Sequence, residues 1–237
     1  MTNTTGANNT ALGVRTLEAN TTASNNTAVG FKALLSNTTG DANVSVGYLA
    51  LTANTTGAKN TALGYMAAQA TTTAAENVAL GFQALYTNTT GQTNVAVGDE
   101  ALHANQTASN NTAIGSSALK ANTTGTMNAA VGQDALDSNT TGSYNTAVGS
   151  DALQANTTAD NSTAVGRSAL EANTTGGYNT AVGKTALMFN TTGYGNVALG
   201  MSAGAHTNGT TTGYNNVFIG TNTHGEAAGS DHQIVLG

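Results

Sequence analysis

Residues 132–149 read Gly-Gln-Asp-Ala-Leu-Asp-Ser-Asn-Thr-Thr-Gly-Ser-Tyr-Asn-Thr-Ala-Val-Gly, and the closing glycine opens the same phrase again. The spacing of 17 residues holds without insertion or deletion from Gly13 through Gly30, Gly47, Gly64, Gly81, Gly98, Gly115, Gly132, Gly149, Gly166 and Gly183 to Gly200. Such a metre belongs to a solenoid, in which every coil stacks on the last with the same rise and the same inward residues. With the repeat glycine as position 0, the consensus is Gly, x, x, Ala, Leu, x, Ala, Asn, Thr, Thr, Gly, x, x, Asn, Thr, Ala, Val. The expected fold is an all-β parallel solenoid, its coils about 4.8 Å apart.

Each position carries its own constraint. Position 16 is aliphatic in all twelve copies, from Leu12 to Leu199, and position 14 is Thr in seven, Val in four and Ala129 once. Thr and Val share a shape and favour strands. The alternation predicts a short strand over positions 14–16, with 14 and 16 turned inward and 15 on the opposite face. Position 15 is Ala in eleven copies and Ser45 in one, so close packing against that outer face is expected. Leu at position 4, replaced only by Ala68 between Leu17 and Leu187, and Ala at position 3 from Ala33 onward supply a second core segment. It is either a strand or a single helical turn. Before residue 200 every Asp, Glu, Lys and Arg falls at position 1, 2, 5, 11 or 12; these columns face water, because an unpaired buried charge is costly. Asn recurs at position 7 (Asn20, Asn37, Asn54 and onward) and position 13 (Asn9, Asn26, Asn43 and onward). Asn suits turns, and stacked amides can bond one another up a column. Position 10, Gly or Ala, marks a bend that does not demand positive φ. Turns are expected at Asn-Thr-Thr-Gly and near the repeat glycine.

The composition excludes several classes of protein. Only 8% of the 237 residues are charged, 5% are aromatic, and Pro, Cys and Trp are absent. A net charge of −6, with the six Lys and Arg scattered, argues against nucleic acid. No cysteine is present to form a disulfide or a thiolate metal site. Neither a signal peptide nor an apolar run of membrane-spanning length is evident. The chain opens mid-repeat and stops at Gly237, as expected of a piece of a longer protein. One Leu, one Val-like residue and a few Ala are thin apolar burial for 17 ordered residues, so a homotrimer or other bundle packed along the small Ala column is expected. Residues 1–200 are the regular array. Residues 201–237, with a 20-residue interval to Gly220, Gly204 in place of the core Leu and Phe218 in place of Ala, form a cap or a transition to a further domain.

The segments Asn-Thr-Ala-Val-Gly-Ser-Asp-Ala-Leu (145–153) and Gly-Tyr-Asn-Asn-Val-Phe-Ile-Gly (213–220) resemble repeats of phage tail-fibre shafts and of head domains of trimeric autotransporter adhesins. The resemblance implies a left-handed parallel β-roll with three chains per rod, located in a virion fibre or at the cell exterior. The 17-residue coil is longer than the usual adhesin-head repeat, and neither a coiled-coil stalk nor a membrane anchor is present. The expected function is that of a non-enzymatic fibre or adhesin shaft that presents or provides surface attachment, with a cell-surface glycan or receptor as partner. A bacterial surface adhesin or extracellular filament subunit is the alternative within that class.

No catalytic constellation is evident, and nothing calls for a cofactor or metal. His206, His224 and His232 with Glu226 and Asp231 form a loose metal candidate, weighed against plain surface loops. His103 sits at exposed position 5, and the adjacent pair Asp99–Glu100 diverges in an extended chain. Phe31, Tyr48, Tyr65 and Phe82 occupy position 1 in four consecutive coils and either stack sugars or stack on one another. Position 9 is an unbroken Thr column, namely Thr22, Thr39, Thr56, Thr73, Thr90, Thr107, Thr124, Thr141, Thr158, Thr175 and Thr192. Ordered Thr arrays suggest ice binding as a reading from another class, although the usual second Thr column is missing. The Asn-x-Thr triplets read as by-products of the turn rather than as glycosylation acceptors.

Overall fold

The computed structural model describes residues 3–205, 212–225 and 229–237. It is an all-β parallel solenoid in which each 17-residue coil contributes one three-residue strand. The chain divides into two compact units, residues 1–117 and 118–237. The first unit carries strands β1 (Thr10–Leu12) to β7 (Thr112–Ile114), the second β8 (Ala129–Val131) to β14 (Ile234–Leu236). In each unit neighbouring strands are consecutive in sequence and pair position for position, as in Thr163↔Thr180, Ala164↔Ala181 and Val165↔Val182.

The strand lies where the alternation predicts it, but its faces are reversed. Ala28, Ala62, Ala79, Ala96, Ala113, Ala147, Ala164, Ala181 and Ala198, all at position 15, are completely buried in the single chain. The residues of positions 14 and 16 are half-buried or exposed, with Val131, Val148, Val165 and Val182 each 36–39% exposed. The reason is width. Across the lumen stand Leu34, Leu51, Leu136 or Leu153 of position 4, together with Ala of position 3 and two Asn, all fully buried. Only a methyl group fits opposite them, so the smallest side chain faces in and the branched ones face out. The Ala column is therefore not available to a neighbouring chain. At Ser45 the buried hydroxyl donates to Ala50 O at 2.8 Å.

The second core segment is neither a strand nor a helical turn. It is a run of tight turns in which positions 2 and 4 both have positive φ, as in Lys32 (55°) and Leu34 (53°). L-residues adopt this region at a cost. Bonds to both neighbours hold it: Lys32 N donates to Val14 O in the preceding coil at 2.9 Å, and Leu34 N to Ala50 O in the next at 3.0 Å. Intercoil bonding thus runs round the whole coil and includes Thr38 N to Thr55 O at 2.8 Å in the turn. The repeat glycine has φ between 125° and 145° from Gly13 to Gly220, a conformation that needs glycine. A Cβ there would also collide with the carbonyl of the next repeat glycine.

Both Asn columns lie inside the coil and bond as the stacking expectation requires. At position 7, Asn139 Nδ2 donates to Asn122 Oδ1 and to Gly142 O, both at 2.9 Å. At position 13, Asn43 Oδ1 accepts from Asn60 N at 2.9 Å, while Asn43 Nδ2 reaches Gly57 O at 2.9 Å. Ser162 stands in for Asn at position 13, and its hydroxyl accepts from Asn179 N at 3.3 Å. Thr71 interrupts the position 7 column. Its buried hydroxyl has no partner, and Asn54 Oδ1, which faces that coil, has none either.

In the second unit, Gly204 and Phe218 exchange volumes between the two sides of the lumen. Phe218 is buried at position 15, and a Cβ on Gly204 would lie 2.7 Å from Phe218 Cδ2 and from Leu187 Cδ2. The ring fills the space that Leu occupies in the regular coils.

Two substitutions test this interior. Thr71→Asn restores the amide column and satisfies Asn54, with an expected gain of about 1–3 kcal/mol, read as a higher thermal midpoint by circular dichroism. Phe218→Ala costs about 3–5 kcal/mol. Combining it with Gly204→Leu recovers most of that loss, because Leu already adopts positive φ at this position in other coils.

Candidate functional site

With the interior committed to packing, function falls to the outward columns. The largest is the outer face of the sheet. Among the described residues no strand carries a charged residue, and the outward residues are Thr, Val, Leu, Ile and Ala129. In the second unit Val131, Val148, Val165, Val182, Leu199 and Ile219 form an exposed aliphatic row. A parallel sheet is ordinarily covered on both faces; here the coil covers one.

The aromatic column expected at position 1 is assembled in the first unit. Phe31, Tyr48, Tyr65 and Phe82 stack with centroids 5.1–5.4 Å apart and planes within 7–11°. Both faces of Tyr48 and Tyr65 are taken by neighbouring rings, and Lys32 Nζ lies 5.1 Å from the centroid of Phe31. This column turns its ring edges, not its faces, to solvent. His103 stacks on Tyr86 at 5.1 Å.

The two Thr columns part company. Hydroxyls at position 8 are spent between coils, as in Thr38 Oγ1 to Thr55 O at 3.0 Å and Thr157 Oγ1 to Thr174 O at 3.1 Å. Position 9, from Thr22 to Thr192, is exposed in every coil, so of the two turn columns only this one presents its hydroxyls. The Asn of the Asn-Thr-Thr triplets from Asn20 to Asn190 is buried, with its amide nitrogen already donating, which leaves no access for a glycosyl group there; Asn3 of the first triplet is exposed.

Charged residues are exposed or half-buried throughout the described residues. Arg15 pairs with Glu18, and Lys59 Nζ lies 3.1 Å from Glu76 Oε1, both on the surface. Asp at position 11 has a structural task that sequence reading missed: its carboxylate takes the N–H of position 11 in the preceding coil, which the backbone ladder leaves over. Ser143 N donates to Asp160 Oδ1 at 2.6 Å and Tyr214 N to Asp231 Oδ1 at 2.9 Å. Ser plays the same part at Gln92 N to Ser109 Oγ, 2.9 Å. Of the metal candidate, His206 and Glu226 lie outside the described residues. His224 Nδ1 is 2.8 Å from Asn222 O, and His232 packs edge-on against Tyr214 at 5.1 Å. Among the described residues no three His, Cys, Asp or Glu side chains converge, and no helix is long and apolar enough to cross a membrane.

No protein-family model matches the chain, and no curated protein is similar to it.

The Asp231 carboxylate beside Tyr214 pushes that phenol above its ordinary value of 10.0, with smaller contributions from burial and from a side-chain hydrogen bond to Asp231. A raised value means that the neutral phenol is favoured in the folded state, and that this preference is lost as the pH climbs past the ordinary tyrosine range. Spectrophotometric titration should show Tyr214 ionising late, and Asp231→Asn should return it toward the ordinary tyrosine value.

Proposed function

We propose that this chain is a shaft segment of a non-enzymatic attachment fibre and that it self-associates as a homotrimer through the outer face of its sheet. The observation that carries this reading is the exposed, wholly uncharged row of aliphatic and Thr side chains on one side of a parallel sheet. Such patches mark association surfaces, and a sheet face left to water ordinarily alternates to polar residues. The resemblance of 145–153 and 213–220 to tail-fibre and adhesin-head repeats supplies the biological class, with a phage tail or receptor-binding fibre as the first reading and a bacterial surface filament as the second. The location is then a virion fibre or the cell exterior, and the further partner a host surface molecule. The solenoid contributes stiffness: intercoil bonds on every side of each coil resist bending.

Light scattering on a sizing column tests the proposal. The expected mass is three times the 23.4 kDa chain. Lysine at two outward positions, Val148→Lys with Val165→Lys, should lower that mass to one chain while the thermal transition survives, because these side chains do not enter the lumen. A wild-type monomer would overturn the association, and a filament-sized mass would replace the trimer with an open assembly.

A further inference from the structure

We propose that the hollow framed by Gly177, Tyr178, Tyr194 and Gly195 is a carbohydrate site. It takes the pyranose ring of a neutral surface sugar stacked on Tyr194, with the sugar hydroxyls toward Asp160. Position 11 in successive coils of the second unit is Asp160, Gly177, Tyr194 and Tyr214. Tyr194 rests one ring face on Tyr214, with centroids 5.2 Å apart and planes within 3°. Its other face looks toward the coil of Gly177, which carries no side chain at position 11. Outside its chain neighbours, the three atoms nearest a Cβ built there are all Asp160 backbone atoms, the closest being the carbonyl oxygen at 3.0 Å. Omitting one side chain from the column opens two coil spacings, about 9.6 Å, between the coil of Asp160 and that of Tyr194. A sugar ring fits that gap.

The polar and lateral walls are also present. Asp160 is exposed, and its Oδ1 is held toward the preceding coil by Ser143 N at 2.6 Å, which leaves Oδ2 to accept from a sugar hydroxyl. At position 12 the order of residues reverses: Tyr178 stands over Gly195. The two tyrosines thus occupy one diagonal of a four-residue frame; Gly177 leaves its corner open, whereas the corner of Gly195 is closed by Asn215 Oδ1, 2.5 Å from where a Cβ would stand. Backbone bonds from Tyr178 N to Asp160 O (3.0 Å) and from Gly195 N to Gly177 O (3.1 Å) make the frame rigid. Tyr178 and Tyr194 are 68% and 50% exposed, whereas the stacked position 1 column offers mostly edges. A free aromatic face beside a fixed acceptor suits the apolar C–H face and the hydroxyls of a sugar. The carboxylate and the net charge of −6 disfavour phosphate-bearing ligands.

The attachment role of this site rests on the proposed fibre function, but its binding does not, so it is assayed separately from oligomer mass. Saturation-transfer NMR on the whole chain, with the methyl glycosides of glucose, galactose, mannose and N-acetylglucosamine as probes, should show transfer to at least one, with a Kd of about 1 mM. Gly177→Tyr, which extends the tyrosine stack into the hollow, and Tyr194→Ala, which removes the platform, should each weaken binding about tenfold or more. The thermal transition should be unchanged in both variants. Phe31→Ala should bind as wild type. Absence of transfer from all four glycosides, or wild-type binding by Gly177→Tyr, would overturn the site.

Discussion

Amide-to-amide hydrogen bonding along the two interior Asn columns is the interaction on which the rest of this solenoid depends. A lumen lined by one Leu, three small residues and two Asn per coil buries little hydrocarbon, and it buries two carboxamides that must find partners. Nearly all find them in the coil above or below and in the carbonyls of the Asn-Thr-Thr-Gly turn. At position 7 the side-chain partner therefore exists only if the next coil has Asn at the same height, and at position 13 the backbone partners are met only while the coils stay in register. Inserting one residue would shift both columns past their neighbours and orphan amides in two coils at once. That penalty gives a physical reason for an unbroken metre from Gly13 to Gly200. Ser162 is tolerated because a hydroxyl can still accept the N–H that needs an acceptor. Thr71 offers its upstream neighbour nothing, and Asn54 Oδ1 is left without a partner.

The glycine metre reports a second constraint, the approach of one backbone to the next. At position 0 the chain runs so close to the following coil that a Cβ would enter its carbonyl, and φ lies where only glycine is at ease. Leu at position 4 meets the opposite situation. It accepts a left-handed backbone near 50° because the turn run is pinned by bonds to both neighbours and because its side chain supplies most of the apolar volume of the coil. Strain at one atom of the repeat is offset by packing and hydrogen bonds elsewhere in the same repeat.

The solenoid, its period and the water-facing charge columns were legible in the sequence, since they follow from spacing and from the cost of burying charge. The orientation of the strand was not. Hydropathy ranks Val above Ala for the inside, but the lumen is narrower than that rule assumes, and the width is set by Leu and Asn from the far side of the coil. The left-handed Leu was illegible for a related reason: no local propensity predicts it, and only intercoil bonds hold it. The aromatic column at position 1 was visible as a column, but its mutual stacking, which uses up the ring faces, is a property of coil spacing. The proposed hollow beside Tyr194 was not legible because its defining residue is a glycine, Gly177, that looks in sequence like ordinary variation at position 11.

The bonds that recur in every coil come from the lumen, the turns and the backbone, which leaves positions 1, 2, 5, 11 and 12 tolerant of many residue types, and they do vary. Positions 14 and 16 are different. They face outward, contribute little to the lumen, and still hold only Thr, Val, Leu, Ile and one Ala across all strands. Strand propensity accounts for the branched side chains, but it does not account for the absence of Lys, Glu and other charges from a surface that water reaches, since one charged residue among fourteen strands would cost the coil almost nothing. No contact inside the chain requires that restriction. The proposed self-association would supply a reason for it, since a partner with the same repeat would place the same demand on every coil.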